Sequence, residues 1–317
     1  MDIDPSILAL RRNPASQRRA QSDLEQAKAD WLTENTDVLL DDLAKYGAGQ
    51  ALQDCSSLRE TLESYEHAKQ LICSWFSGLS QALEQNPLGQ IPFRHQYRKG
   101  VGVFQLAVNG NATLSLMLYE EQNHGPAQSI CFAGGDCTEI VIAGLGAGRL
   151  IEIASESDSA ALLRSRDLHF SAGTTMAYSG PSSAKIVDQV CGMMAVLRLS
   201  RPPAIPVESR EYRISDGALL HRASGDRNES RQQMIIALLG AMRRNDAVPA
   251  IEAKCTGGSA SLRWQAVRQL LAMDTARGFA VLGNLANAPE GELASAATAL
   301  RAQLTAKYPQ LFCLETA

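Results

Sequence analysis

Five histidines, at positions 67, 95, 124, 169 and 221, are the chain's whole supply of imidazole. Three of them, His95, His124 and His169, share the middle of the chain with two carboxylates, Glu121 and Glu139. Neutral imidazoles and a carboxylate converging from neighbouring strands would make a divalent-metal site with open positions for substrate or dioxygen. The spacing of these residues fits no known ligand pattern, so each also reads as an ordinary surface or core side chain. His95, His124, His169 and Glu139 are therefore a fallback metal set, and the first expectation is no metal and no cofactor.

Other chemistry finds less support. The seven cysteines, Cys55, Cys73, Cys131, Cys137, Cys191, Cys255 and Cys313, are odd in number and include no C-x-x-C pair. Cys131 and Cys137 flank "FAGGD", which matches no common zinc spacing and holds no basic residue to lower a thiol pKa. Reduced, mostly buried thiols are expected. "GLGAG", Gly144 to Gly148, superficially suggests a nucleotide loop, but it lies between two strand-like runs with no following helix and reads as a tight hairpin turn. No G-x-S-x-G elbow or P-loop is present. Trp264 with Arg263 and Arg268 could form part of a partner surface, although a Trp on an apolar stripe is more often core.

These residues need elements to position them, and the chain changes texture twice. Residues 1–21 carry Arg11, Arg12, Arg18 and Arg19 and read as a mobile, solvated tail. Residues 22–85 read as a helical hairpin, with "SDLE" and "SLRE" as capping boxes. Leu58, Leu62, Tyr65, Ala68, Ile72, Phe76, Leu79 and Leu83 then form one apolar stripe that needs a cover. From 90 to 200 the chain breaks into short Val-, Ile- and Leu-rich segments with turn residues between them, and Asn-Gly in "VNGNA" signals a hairpin. Eight or more such strands predict an antiparallel jelly roll or barrel. Residues 201–228, opening with "RPPAIP", read as a stiff linker and extension. Residues 229–312 return to short helices, where Leu262, Ala266 and Leu270 mirror Leu293, Ala297, Leu300 and Leu304; this resembles HEAT-like repeats, with a small helical bundle as the alternative.

The middle region resembles the cupin superfamily. Glu139, "IVIAGL" and Gly146 reproduce the second half of the first cupin motif with the correct spacing. Counting back places the motif's His-x-His on Phe132 and Gly134, or on Ala133 and Gly135 with the shorter gap. In "SRDLHFSAGTTMAYSG", the counterpart of the second motif, Gly173 takes the glycine, Ser171 replaces the proline and Met176 stands where the third histidine belongs. The resemblance implies a cupin-like barrel without its usual ligands, since a thioether binds hard divalent ions poorly and one carboxylate does not hold a catalytic metal.

The expected fold is thus α+β, an antiparallel jelly-roll domain between an N-terminal helical hairpin and a C-terminal HEAT-like region. The barrel pocket, with Glu139, Phe132, Met176, His169 and Tyr119 as candidate lining, is expected to bind a small molecule or peptide without catalysis. The helical regions would dock a partner protein or a second copy. A metal-dependent oxygenase or isomerase, and a pure scaffold with a closed barrel, are the competing readings. With a net charge of −4 and scattered basic residues, nucleic acid is not an expected partner. With 45% hydrophobic residues and no apolar run long enough to span a bilayer, no membrane association is expected. The N-terminus lacks the order of a secretory signal, so a cytoplasmic location is expected.

Overall fold

Helix α1, Ala15–Glu34, begins inside the segment expected to be a tail, and Ser22, expected to cap its start, lies within it. Burial of Ala20, Leu24 and Trp31 accounts for this helix better than a cap does, because helices in proteins draw their stability mainly from a packed stripe. The structure, a computed structural model, describes residues 14–34, 36–87, 89–121, 127–288 and 293–314. It divides into two compact units, the first running to Ile205 and including Arg210–His221, the second comprising Pro206–Ser209 and the chain from Arg222.

In the first unit α1 is followed by α2 (Asp37–Gly47), α3 (Ser56–Glu63) and α4 (Tyr65–Gln85), so the expected hairpin is a layer of four helices. The expected box at Ser57 is replaced by a tertiary cap. Asp42 of α2, 2% exposed, accepts from the Ser57 amide at 2.8 Å and from the Leu58 amide at 3.5 Å. Ser64 then interrupts the helix and starts α4 by accepting from the His67 amide. Leu58, Leu62, Ala68, Ile72 and Leu79 of the predicted stripe are buried, whereas Phe76 is exposed.

Strands β1 (His95–Arg98), β2 (Val101–Asn109), β3 (Ala112–Glu120), β5 (Asp136–Glu156), β6 (Ala161–Phe170), β7 (Thr175–Ser179) and β8 (Ser183–Arg201) form one antiparallel sheet in the order β1-β2-β3-β8-β5-β6, with β7 also on β5. Asn109 pairs with Ala112 across the predicted Asn-Gly turn. Segments expected to be separate strands fuse, "TEIVIAGL" with "RLIEIA" into β5 and "AKIVDQV" with "MMAVLRLS" into β8. "GLGAG" is therefore not a hairpin turn but the middle of a strand. Its physical reason is close approach: Gly144 has φ +90, and a Cβ there would lie 2.2 Å from the Met193 carbonyl oxygen. Register shifts at Val141/Ala143 and Ala143/Leu145 bend the strand at this point.

The bent sheet has two faces. On the convex side, Leu106, Leu114, Leu116, Ile140, Ile142, Leu197 and Leu199 share a core with the N-terminal helices, which covers the helical stripe within the chain. On the concave side, Met117, Tyr119, Val141, Phe170, Val190, Met194 and Val196 cluster together. A second, three-stranded sheet is built from β4 (Ser129–Phe132), β9 (Ser209–Arg213) and β10 (Leu219–Ala223), so the region expected to be linker supplies two strands. The fold is α+β, with an antiparallel jelly-roll-like domain following the N-terminal helices.

The second unit contains α5 (Arg227–Ala241), α6 (Val248–Ala253), α7 (Ala260–Met273), α8 (Thr275–Ala286) and α9 (Ala294–Lys307). Leu262, Ala266, Leu270, Phe279, Leu282 and Ala297 form its core, against which Trp264 packs. Met234, Ile235, Leu238 and Met242 are exposed on or just after α5. Among the described cysteines only Cys55 and Cys255 are buried, while Cys73, Cys131 and Cys191 are exposed, contrary to the expectation of mostly buried thiols. No described helix is long and apolar enough to cross a membrane.

Candidate functional site

Glu139 lies on β5 opposite Arg198 of β8 and Met176 of β7. Directly opposed residues in an antiparallel ladder share a face, so all three point to the concave side. Glu139 is fully buried, and protein donors engage both of its carboxylate oxygens. Lys185 Nζ donates to Oε2, Arg198 Nε donates to Oε1 at 2.6 Å, and the Tyr178 hydroxyl donates to Oε1 at 3.0 Å. Arg198 Nη2 in turn donates to the Tyr119 hydroxyl at 3.3 Å. The Lys185 ammonium also stands over the rings of Tyr119 and Phe170, at 5.2 and 5.5 Å from their centroids, a cation–π arrangement.

The electrostatics follow from burial and these partners. Burial pushes the Glu139 carboxyl up, but the charges of Arg198 and Lys185 outweigh it and hold the group below its ordinary value. For Arg198 burial acts downward and the Glu139 charge more than reverses it, so the guanidinium stays charged. Tyr178 is pushed up, first by burial and then by the Glu139 charge. Burial is also the main cause raising the Cys137 thiol, which faces Tyr178 across the ladder. Both Tyr178 and Cys137 are neutral at physiological pH.

The candidate residues distribute unevenly over this architecture. Glu139 and Tyr119 belong to the cluster, and Met176, half-buried, packs beside them. Phe132 is buried elsewhere, edge-on to Tyr212 at 5.9 Å in the core under the three-stranded sheet; it does not line the concave face. His169 is exposed on β6, and its strand neighbours Leu168 and Phe170 alone turn inward. His95 is exposed on β1, stacks on Phe104 and has its Nδ1 2.8 Å from the Phe93 carbonyl oxygen, on the side of the helices. Glu121 is exposed at the end of β3. His124 lies outside the described residues. Among the described residues no group of three His, Cys, Asp or Glu side chains is placed to hold a metal ion.

Lys185, Arg198 and Tyr178 occupy no defining position of a sequence motif. Their sequence signal is one of phase: in "AKIVDQV" and "AVLRLS" a cation occupies the same alternation phase as the inward-facing valines, Val187 and Val196. A charged residue in a core phase of a strand points to a buried partner of opposite sign.

No family model matches the chain, and no curated protein matches it. Solved structures similar to part of it include the 7S globulin of Momordica charantia, at 14% identity over 39% of this chain and 36% of that one, with a TM-score of 0.27. Ectoine synthase from P. lautus matches at 14% identity over 34% of this chain and 69% of that one, with a TM-score of 0.24. HutD from Pseudomonas fluorescens SBW25 matches at 16% identity over 37% of this chain and 60% of that one, with a TM-score of 0.25. The chain thus spans about a third of the length of the globulin it matches.

Proposed function

We propose that this chain is a metal-independent, non-catalytic barrel protein with a binding or accessory role. The observation that carries the reading is the engagement of both Glu139 oxygens: a lysine, an arginine and a tyrosine donate to the atoms that a metal ion would need. An ion entering there would have to displace Lys185 and stand beside Arg198, two cations that repel it. In this reading the concave side takes a small molecule, and the helical regions dock a partner protein; the exposed side chains of Met234, Ile235 and Leu238 support the second part.

A closed scaffold is the second reading, favoured by the way Met117, Phe170 and Met194 fill the concave side. Elemental analysis of protein purified without chelator tests the metal-independent reading common to both. Traces of metal well below one per chain are expected, whereas stoichiometric iron, manganese, nickel or zinc overturns it.

A further inference from the structure

The concave cluster is unbalanced. Lys185 and Arg198 bring two cations to one carboxylate, Glu139, with Lys185 only 3% and Glu139 0% exposed at the side chain. The remaining polar members, Tyr178, Tyr119 and Cys137, are not acidic residues, and the first and last are pushed further towards their neutral forms by burial. A buried cation without a counter-charge is expensive in a medium of low dielectric constant.

The hydrogen bonding is unbalanced in the same sense. Lys185 Nζ has three donor hydrogens and a single oxygen partner among the described residues. Arg198 uses Nε and Nη2, and no hydrogen bond among the described residues engages Nη1. Its side chain is 23% exposed, and its Nε is anchored on Glu139. An anchored guanidinium with an unused edge is preorganised to receive a planar anion.

We propose that this site binds a carboxylate, either as a small monoanion or as the acid group of a small metabolite, held by the free edge of Arg198 with Tyr119 and Lys185 beside it. One surplus positive charge calls for one negative charge, which a carboxylate supplies and a phosphate dianion exceeds. This inference names the ligand class of the barrel site and rests on the metal-independent reading above.

Calorimetric titration of metal-free wild-type protein with sodium acetate, against sodium chloride and sodium phosphate at equal ionic strength and pH 7, is the test. Saturable binding of acetate with a rise in Tm is expected, with chloride inert and phosphate weaker. Arg198→Gln should weaken acetate by at least about tenfold, since a charge-assisted bidentate contact is lost; its Glu139–Lys185 pair is neutral, so the variant is expected to fold. Acetate acting no more strongly than chloride on the wild type overturns the proposal without reference to any variant. Phosphate binding tighter than acetate overturns the carboxylate assignment, and undiminished acetate binding in Arg198→Gln overturns the site. Metal found in the same preparation would instead overturn the metal-independent reading, so the two failures are distinguishable.

Discussion

Lys185 and Glu139 form a buried ion pair although Lys185 stands opposite Leu150, far along the same strand from Glu139. A straight strand would hold Glu139 and Leu150 roughly 36 Å apart. The pair therefore forms only because β5 and β8 fold over together at the glycine-rich stretch, which brings the two halves of each strand face to face. The charge cluster is a product of that bend, and the bend is in turn held by the cluster.

Removing the carboxylate leaves Lys185 and Arg198 facing each other without compensation. Glu139→Gln is expected to lower stability by about 3–5 kcal/mol, the usual result of breaking one side of a buried ion pair. Urea denaturation at neutral pH measures it; a loss of only a few tenths would mean that the cluster is not buried as described.

Acid should act on the same group. The folded-state pKa of Glu139 lies below its ordinary value, so its contribution is fully present above the unfolded-state value of about 4.3 and is lost as pH falls through the lower folded value. Tm followed from about pH 6 down to about pH 2 is expected to show an acid limb that is shallower in Glu139→Gln than in the wild type. Parallel limbs would contradict the depressed pKa.

Glycine tolerance should separate the bend from the helices. A Cβ at Gly148 would lie 2.1 Å from the Ile186 carbonyl oxygen and 2.9 Å from the Phe170 ring, whereas one at Gly78 in α4 meets nothing within 4 Å. Gly148→Ala is expected to cost about 1–3 kcal/mol or more through overpacking, and Gly78→Ala to gain about 0.5–1 kcal/mol from helix propensity. Thermal melts of the two single variants check the opposite signs.

The Asp42 cap offers a local test of helix–helix assembly. Burial raises its carboxyl, but Lys45 and the Ser57 and Leu58 amides together hold it below the usual range. Asp42→Ala is expected to cost about 1–2 kcal/mol, with hydrogen exchange accelerating first at the amides of Ser57 and Leu58. Unchanged protection there would show that another acceptor serves the α3 terminus.

The sequence by itself determined the order of textures, helical then strand-rich then helical, because hydrophobic period and turn residues are local properties. It also determined the Asn-Gly hairpin and marked Glu139 as the residue around which a site would have to form. It missed the α1 start at Ala15 and the Asp42 cap because both depend on burial against partners distant in the chain. The fused strands β5 and β8 look like four pieces in sequence because glycine is a turn residue by propensity, and only the packing of Met193 against Gly144 shows it serving a bend. Tertiary structure alone decided which phase of each alternating strand is concave, sending Phe132 and His169 away from the site and Lys185, Tyr178 and Arg198 into it. Alternation defines two faces of a strand but gives neither of them an inside, and the inside is created by the long-range bend that pairs Lys185 with Glu139.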